Sequence, residues 1–91
     1  MIIELDGRLM TDRTSAHEYL KTQFEFPDYY GKNLDALYDM LTEYGKPIVV
    51  ILSRYNEMEA ALGGYAGALV AAIREAAENN SSLDFHIKET I

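Results

Sequence analysis

Apolar and polar positions alternate along this chain in a few distinct rhythms, and each rhythm predicts an element. Ile2 to Asp6 reads as a short strand, closed by a turn at Asp6-Gly7, and Arg8 to Asp12 reads as a connection. Ala16, Tyr19, Leu20 and Phe24 then recur at helical spacing. Ser15 and Glu18 stand three apart, which predicts a capping box with Ser15 as cap and a helix to about Phe24. Pro27 and Gly31 shape a turn, with Gly31 expected in a conformation that other residues resist. Asn33 caps the next helix, which the pattern carries to Tyr44. At about 100° per residue, Leu34, Leu37, Met40, Leu41 and Tyr44 share one side. Asp35, Asp39 and Glu43 share the other, with Thr42 beside them and Tyr38 on the border.

Gly45-Lys46-Pro47 stops that helix, and the Lys46–Pro47 bond is expected to be trans, the default for such bonds. The unbroken run Ile48 to Leu52 predicts a strand buried on both faces. Asn56 is a candidate cap for a short helix ending at Gly63-Gly64. A longer helix over Tyr65 to Glu78 turns Leu69, Val70, Ile73, Ala76 and Ala77 inward and Arg74, Glu75 and Glu78 outward. Asn79 to Ser82 is a loop. Leu83, Phe85 and Ile87 then alternate with Asp84, His86 and Lys88, an edge strand with one wet face. The order β-α-α-β-α-α-β separates every pair of strands by helices. It predicts an α/β fold: a three-stranded parallel sheet in the order 1-2-3 with about four helices and right-handed crossovers. One domain over residues 1–91 is expected.

Charge sharpens this picture more than composition does. Fifteen acidic residues against eight basic ones leave a net charge of −7. Direct binding to nucleic acid needs a basic surface, and so does binding to an anionic membrane, so neither is expected. A basic protein partner suits the charge, which would also speed the encounter. A hydrophobic content of 48% supports a packed core. The chain has no cysteine, no visible signal peptide and no apolar run long enough to span a bilayer, and a cytoplasmic home is expected.

The candidate chemistry centres on the acidic row. Like charges at i, i+4 weaken a helix, and no lysine or arginine interrupts Asp35, Asp39 and Glu43. Tyr29, Tyr30 and Tyr38 are expected to cluster around these carboxylates and give the row aromatic edges. Such a row could imitate the phosphates of a nucleic acid and occupy a basic groove. The plainer reading is a solvated helix face. No cofactor or metal is expected, because the spacing does not fit an EF-hand loop and a straight helix leaves the ligand shell incomplete. Acid–base catalysis by two carboxylates needs a cleft, which one exposed face does not offer. His17 is placed on the polar side of its helix and His86 on the outer face of an edge strand, so both are expected at the surface. Neither a G-x-S-x-G elbow nor a phosphate-binding glycine loop is present.

The run Pro27-Asp-Tyr-Tyr-Gly-Lys-Asn-Leu-Asp-Ala-Leu-Tyr-Asp39 closely resembles the signature of the barstar family of ribonuclease inhibitors. His17, Leu20 and Lys21, Pro47, and Arg74-Glu75-Ala76 extend the resemblance over the chain. It implies a non-enzymatic protein that binds a small, basic, extracellular-type ribonuclease one to one and is monomeric when free. Asp39 would enter the enzyme's phosphate-binding centre, Asp35 would pair with a neighbouring basic residue, and Tyr29 would pack near its histidine. Asn33, Tyr38 and Thr42 would line the same patch, and Glu75 would add an acidic contact from the last helix. Tyr38 stands where the namesake has tryptophan, Glu43 where it has glycine, and Lys32 where it has an acidic residue. The resemblance does not say which nuclease is met. The alternative is an interaction domain that binds another basic protein without inhibiting a nuclease. A small hydrolase using Asp35 and Asp39 is a third reading.

Overall fold

The computed structural model describes residues 1–88. Its elements are β1 (Ile2–Asp6), α1 (Arg13–Phe24), α2 (Leu34–Thr42), β2 (Ile48–Ser53), α3 (Tyr55–Leu62), α4 (Gly64–Glu78) and β3 (Leu83–Ile87). The strands are parallel and ordered β1-β2-β3, as the alternation of strands and helices predicts. No peptide bond among the described residues is cis, Lys46–Pro47 included.

The expectation that β2 is buried on both faces is not met. Ile48, Val50 and Leu52 are buried, whereas Val49, Ile51 and Ser53 are only half-covered. The cause is topological. Two right-handed crossovers that step in the same direction lay both helix pairs on one side of the sheet. The register brings Ile3, Val50 and Phe85 together on that side. On the far side, Ile2, Glu4, Asp84 and His86 are exposed. The core joins the covered face to Ala16, Leu20 and Phe24 of α1, Leu37 and Leu41 of α2, Met58 of α3, and Leu69 and Ile73 of α4.

Several element ends differ from the sequence reading. The cap of α1 is Asp12, not Ser15: its carboxylate accepts from the Ser15 N–H at 2.8 Å. Ser15 instead closes the box from inside the helix, its Oγ accepting from the Asp12 N–H at 3.1 Å. Aspartate caps as well as serine does, and this arrangement leaves Glu18 free for another partner. Asn56 does not cap α3, which begins one residue earlier, after Arg54 in a left-handed conformation with φ 59°. The helix α2 stops at Thr42, with Glu43 as its C-cap.

Gly7 follows β1 in a single 3-10 turn over Gly7–Leu9. A Cβ there would lie 2.3 Å from the Arg54 carbonyl oxygen, so only glycine lets this turn lie against the link from β2 to α3.

Candidate functional site

The loop between α1 and α2 sets up the surface. The chain leaves α1 through Glu25, left-handed at φ 56°, and the Phe26 N–H bonds back to the Lys21 carbonyl at 3.0 Å. Phe26 turns inward and stacks on Phe24, with ring centroids 5.2 Å apart. The Tyr30 N–H donates to the Pro27 carbonyl at 3.0 Å and closes a tight turn. Tyr30 then enters the core, its ring 4.8 Å from that of Phe26. Tyr29, at the apex, is left 79% exposed.

Two expectations fail here. Tyr30 does not edge the carboxylates, since it is buried with only 3% of its surface exposed. Gly31 does not take the left-handed conformation; its neighbour Lys32 does, at φ 55°. Lys32 also forms an ion pair with Glu18 of α1, which holds the Glu18 carboxyl below its usual range.

Asn33 caps α2 as expected, its Oδ1 accepting from the Ala36 N–H at 2.8 Å. Its amide nitrogen donates to the Gly31 carbonyl at 3.2 Å, so the side chain is largely engaged in shaping the helix start. Beyond it, Asp35, Asp39 and Glu43 are all exposed. Among the described residues none of the three forms an ion pair, and neither does Glu75. Adjacent carboxylates in the row are spaced about 6 Å along the axis. The Thr42 hydroxyl donates back to the Tyr38 carbonyl at 2.9 Å, and it lies on the same side as Asp35 and Asp39.

Packing of α2 against α4 brings in the second helix. Leu34, Asp35 and Tyr38 of α2 and Ala68, Ala72 and Glu75 of α4 line an open groove of about 360 Å³. The small alanines let the helices approach, and the two carboxylates stand at the groove. Tyr38 is fixed by its hydroxyl, which accepts from the Asn79 amide at 3.0 Å. Arg74, next to Glu75 in sequence, turns away and lies 5.3 Å over the Phe85 ring. The structure therefore gathers Asp35, Tyr38 and Glu75 at one groove and continues the same helix face through Asp39 and Thr42. Tyr29 stands apart on its loop.

Sequence reasoning missed the residues that hold this surface in place. Asn80 donates to the carbonyls of Leu41 at 2.9 Å and Tyr44 at 3.1 Å, tying the end of α2 to the loop before β3. His17, expected at the surface, is 1% exposed and is the buried polar residue of the described chain. Its Nδ1 lies 2.7 Å from the Tyr30 hydroxyl and its Nε2 2.7 Å from the Tyr65 hydroxyl. Burial lowers the pKa of this imidazole and raises those of both phenols. A signal was available: His17 precedes Phe24 by seven residues, two helical turns, and so shares its inward side.

Among the described residues, no three His, Asp or Glu side chains converge as metal ligands. No helix among them is long and apolar enough to cross a membrane. The exposed carboxylates can attract cationic side chains, but an open groove does not shield a reacting group from water.

The family profile described as "Barstar (barnase inhibitor)" matches residues 1–89. The chain belongs to the barstar family. A relative in Bacillus subtilis (strain 168), named "Putative ribonuclease inhibitor YrdF", is 40% identical over 77 residues. That match covers 84% of this chain and 85% of the relative. As a barstar-family member the protein has the expected three-stranded parallel α/β fold.

Proposed function

We propose that this protein is a stoichiometric inhibitor of a small basic ribonuclease of the barnase type, acting in the cytoplasm as a monomer that binds its target one to one. The acidic face of α2 stands in for RNA phosphates and fills the enzyme's cationic active site. Asp39 and Asp35 are the central anchors. Tyr29, Asn33, Tyr38 and Thr42 surround them, and Glu75 adds charge from α4. Nothing is turned over and no cofactor takes part.

The observation that carries this reading is the pair Asp35 and Asp39, exposed on one helix face and, among the described residues, paired with no cation. Carboxylates left unpaired in the free protein are available to a partner's arginines and lysines, where charge-assisted hydrogen bonds are strong. Family membership and the name given to the Bacillus subtilis relative favour a ribonuclease as that partner.

The test is titration of a barnase-type ribonuclease with the purified protein. Activity should vanish at an equimolar ratio. Asp39→Ala should weaken binding by at least about 2 kcal/mol, roughly thirtyfold, as an interface hot spot does; the upper end of that hot-spot range comes from the barstar family's own complex. Unchanged affinity would remove Asp39 from the mechanism. Binding to a basic protein with ribonuclease activity left intact would favour a non-inhibitory interaction domain.

A further inference from the structure

We propose that His17 is a positioning residue for the recognition loop: it clasps Tyr30 and Tyr65 together and thereby holds Tyr29 in its binding position. This rests on the reading of the Tyr29–Asp39 surface as the partner-binding face. The clasp itself is visible in the free protein.

Three elements meet at the His17 ring. It is carried by α1, it meets Tyr30 from the loop that precedes α2, and it meets Tyr65 from the first turn of α4. Both ring nitrogens are used, each at 2.7 Å. A neutral imidazole has one donor and one acceptor, so one phenol donates to the ring and the other accepts from it. The rings also pack at centroid distances of 5.9 Å, that of Tyr65 edge-on. No buried side-chain nitrogen or oxygen among the described residues is left without a partner. The network is thus complete, and a complete buried network has one geometry.

The loop needs such an anchor. Pro27, Asp28 and Tyr29 make its tip, and Tyr29 is mostly in solvent. Tyr30 is the next residue, so its placement fixes the backbone from which Tyr29 projects. The packed, mutually tilted rings of Phe26 and Tyr30 hold the loop against the core through apolar contact, which is not directional. The hydrogen bond to His17 supplies the direction. An exposed tyrosine on a fixed backbone loses less freedom on binding than one on a mobile loop, which is the advantage of pre-organisation.

The experiment has two arms. In the free protein, His17→Gln and the milder Tyr30→Phe are compared with the parent by amide hydrogen exchange. The Tyr30 N–H, bonded within the loop turn, should exchange about tenfold faster or more in both variants, while amides of β2 keep their protection. Tyr30→Phe keeps the ring and removes only the hydroxyl, so it reports on the clasp even if His17→Gln folds poorly. The second arm is a double-mutant cycle against the ribonuclease. Tyr29→Ala should cost about tenfold in affinity in the parent and about threefold or less beside Tyr30→Phe, whereas the cost of Asp39→Ala should stay the same in both backgrounds. Unchanged loop exchange together with additive Tyr29 and Tyr30 effects would overturn the proposal. Absence of inhibition by the parent would defeat the inhibitor reading alone, because the exchange arm needs no partner.

Discussion

A histidine inside a small core has consequences for stability as well as for loop placement. Burial lowers the His17 pKa in the folded protein, and Arg13 and Lys21, one turn either side on α1, add no negative charge to favour the imidazolium. The unfolded chain binds a proton near pH 6.5, the ordinary value, whereas the folded chain does so only at lower pH. Protons therefore favour the unfolded state in the window below about pH 6.5. Stability should fall as pH drops through this window, by up to about 1.4 kcal/mol per unit, and level off once the folded ring also titrates. Urea denaturation between about pH 7 and pH 5 measures it, and His17→Gln should flatten the slope across that range. An equal slope in parent and variant would assign the effect to other groups. Charging the ring also makes both nitrogens donors, so the phenol that donated to the ring loses its acceptor.

At the scale of elements, the strands and helices were legible because their periods of two and 3.6 residues are written in whole runs of side chains. Their ends were less so. Asp12 and Ser15 are both good caps, and local chemistry alone does not choose between them. Left-handed positions fell on Glu25, Lys32 and Arg54, residues that give no glycine signal in the sequence. The two-helix surface was legible only in part. The carboxylate row on α2 follows from spacing, but the groove that joins Asp35 to Glu75 depends on how α2 meets α4. Glu43 shows a conflict between element and site. It is the C-cap of α2, at the negative end of the macrodipole, with no basic residue in the last turn and Asp39 one turn before it. Glu43→Gln should raise stability by about 0.3–1 kcal/mol in urea denaturation. The same change should slow association with a basic ribonuclease, measured by stopped flow. Faster or unchanged association would show that Glu43 faces away from the partner.

Across the whole molecule, the charge of −7 acts at longer range than any single contact. The acidic residues of α2 lie on the proposed contact face, so their field guides approach as well as holding the complex. Screening separates these roles. The Debye length shrinks from about 30 Å at 0.01 M salt to about 10 Å at 0.1 M, which removes steering before contact but leaves desolvated pairs largely intact. Association with the ribonuclease should therefore slow at least about tenfold between 0.01 M and 0.5 M salt, while dissociation changes about threefold or less. Position should matter more than total charge. Glu59 lies on α3, which packs on α4 and the Gly7–Leu9 turn, so Glu59→Gln matches Asp35→Asn in net charge but not in place. Only Asp35→Asn should slow association markedly and flatten its salt dependence. Equal effects would mean that net charge alone draws the partner in, and salt-independent association would mean that the acidic face of α2 acts only after contact is made.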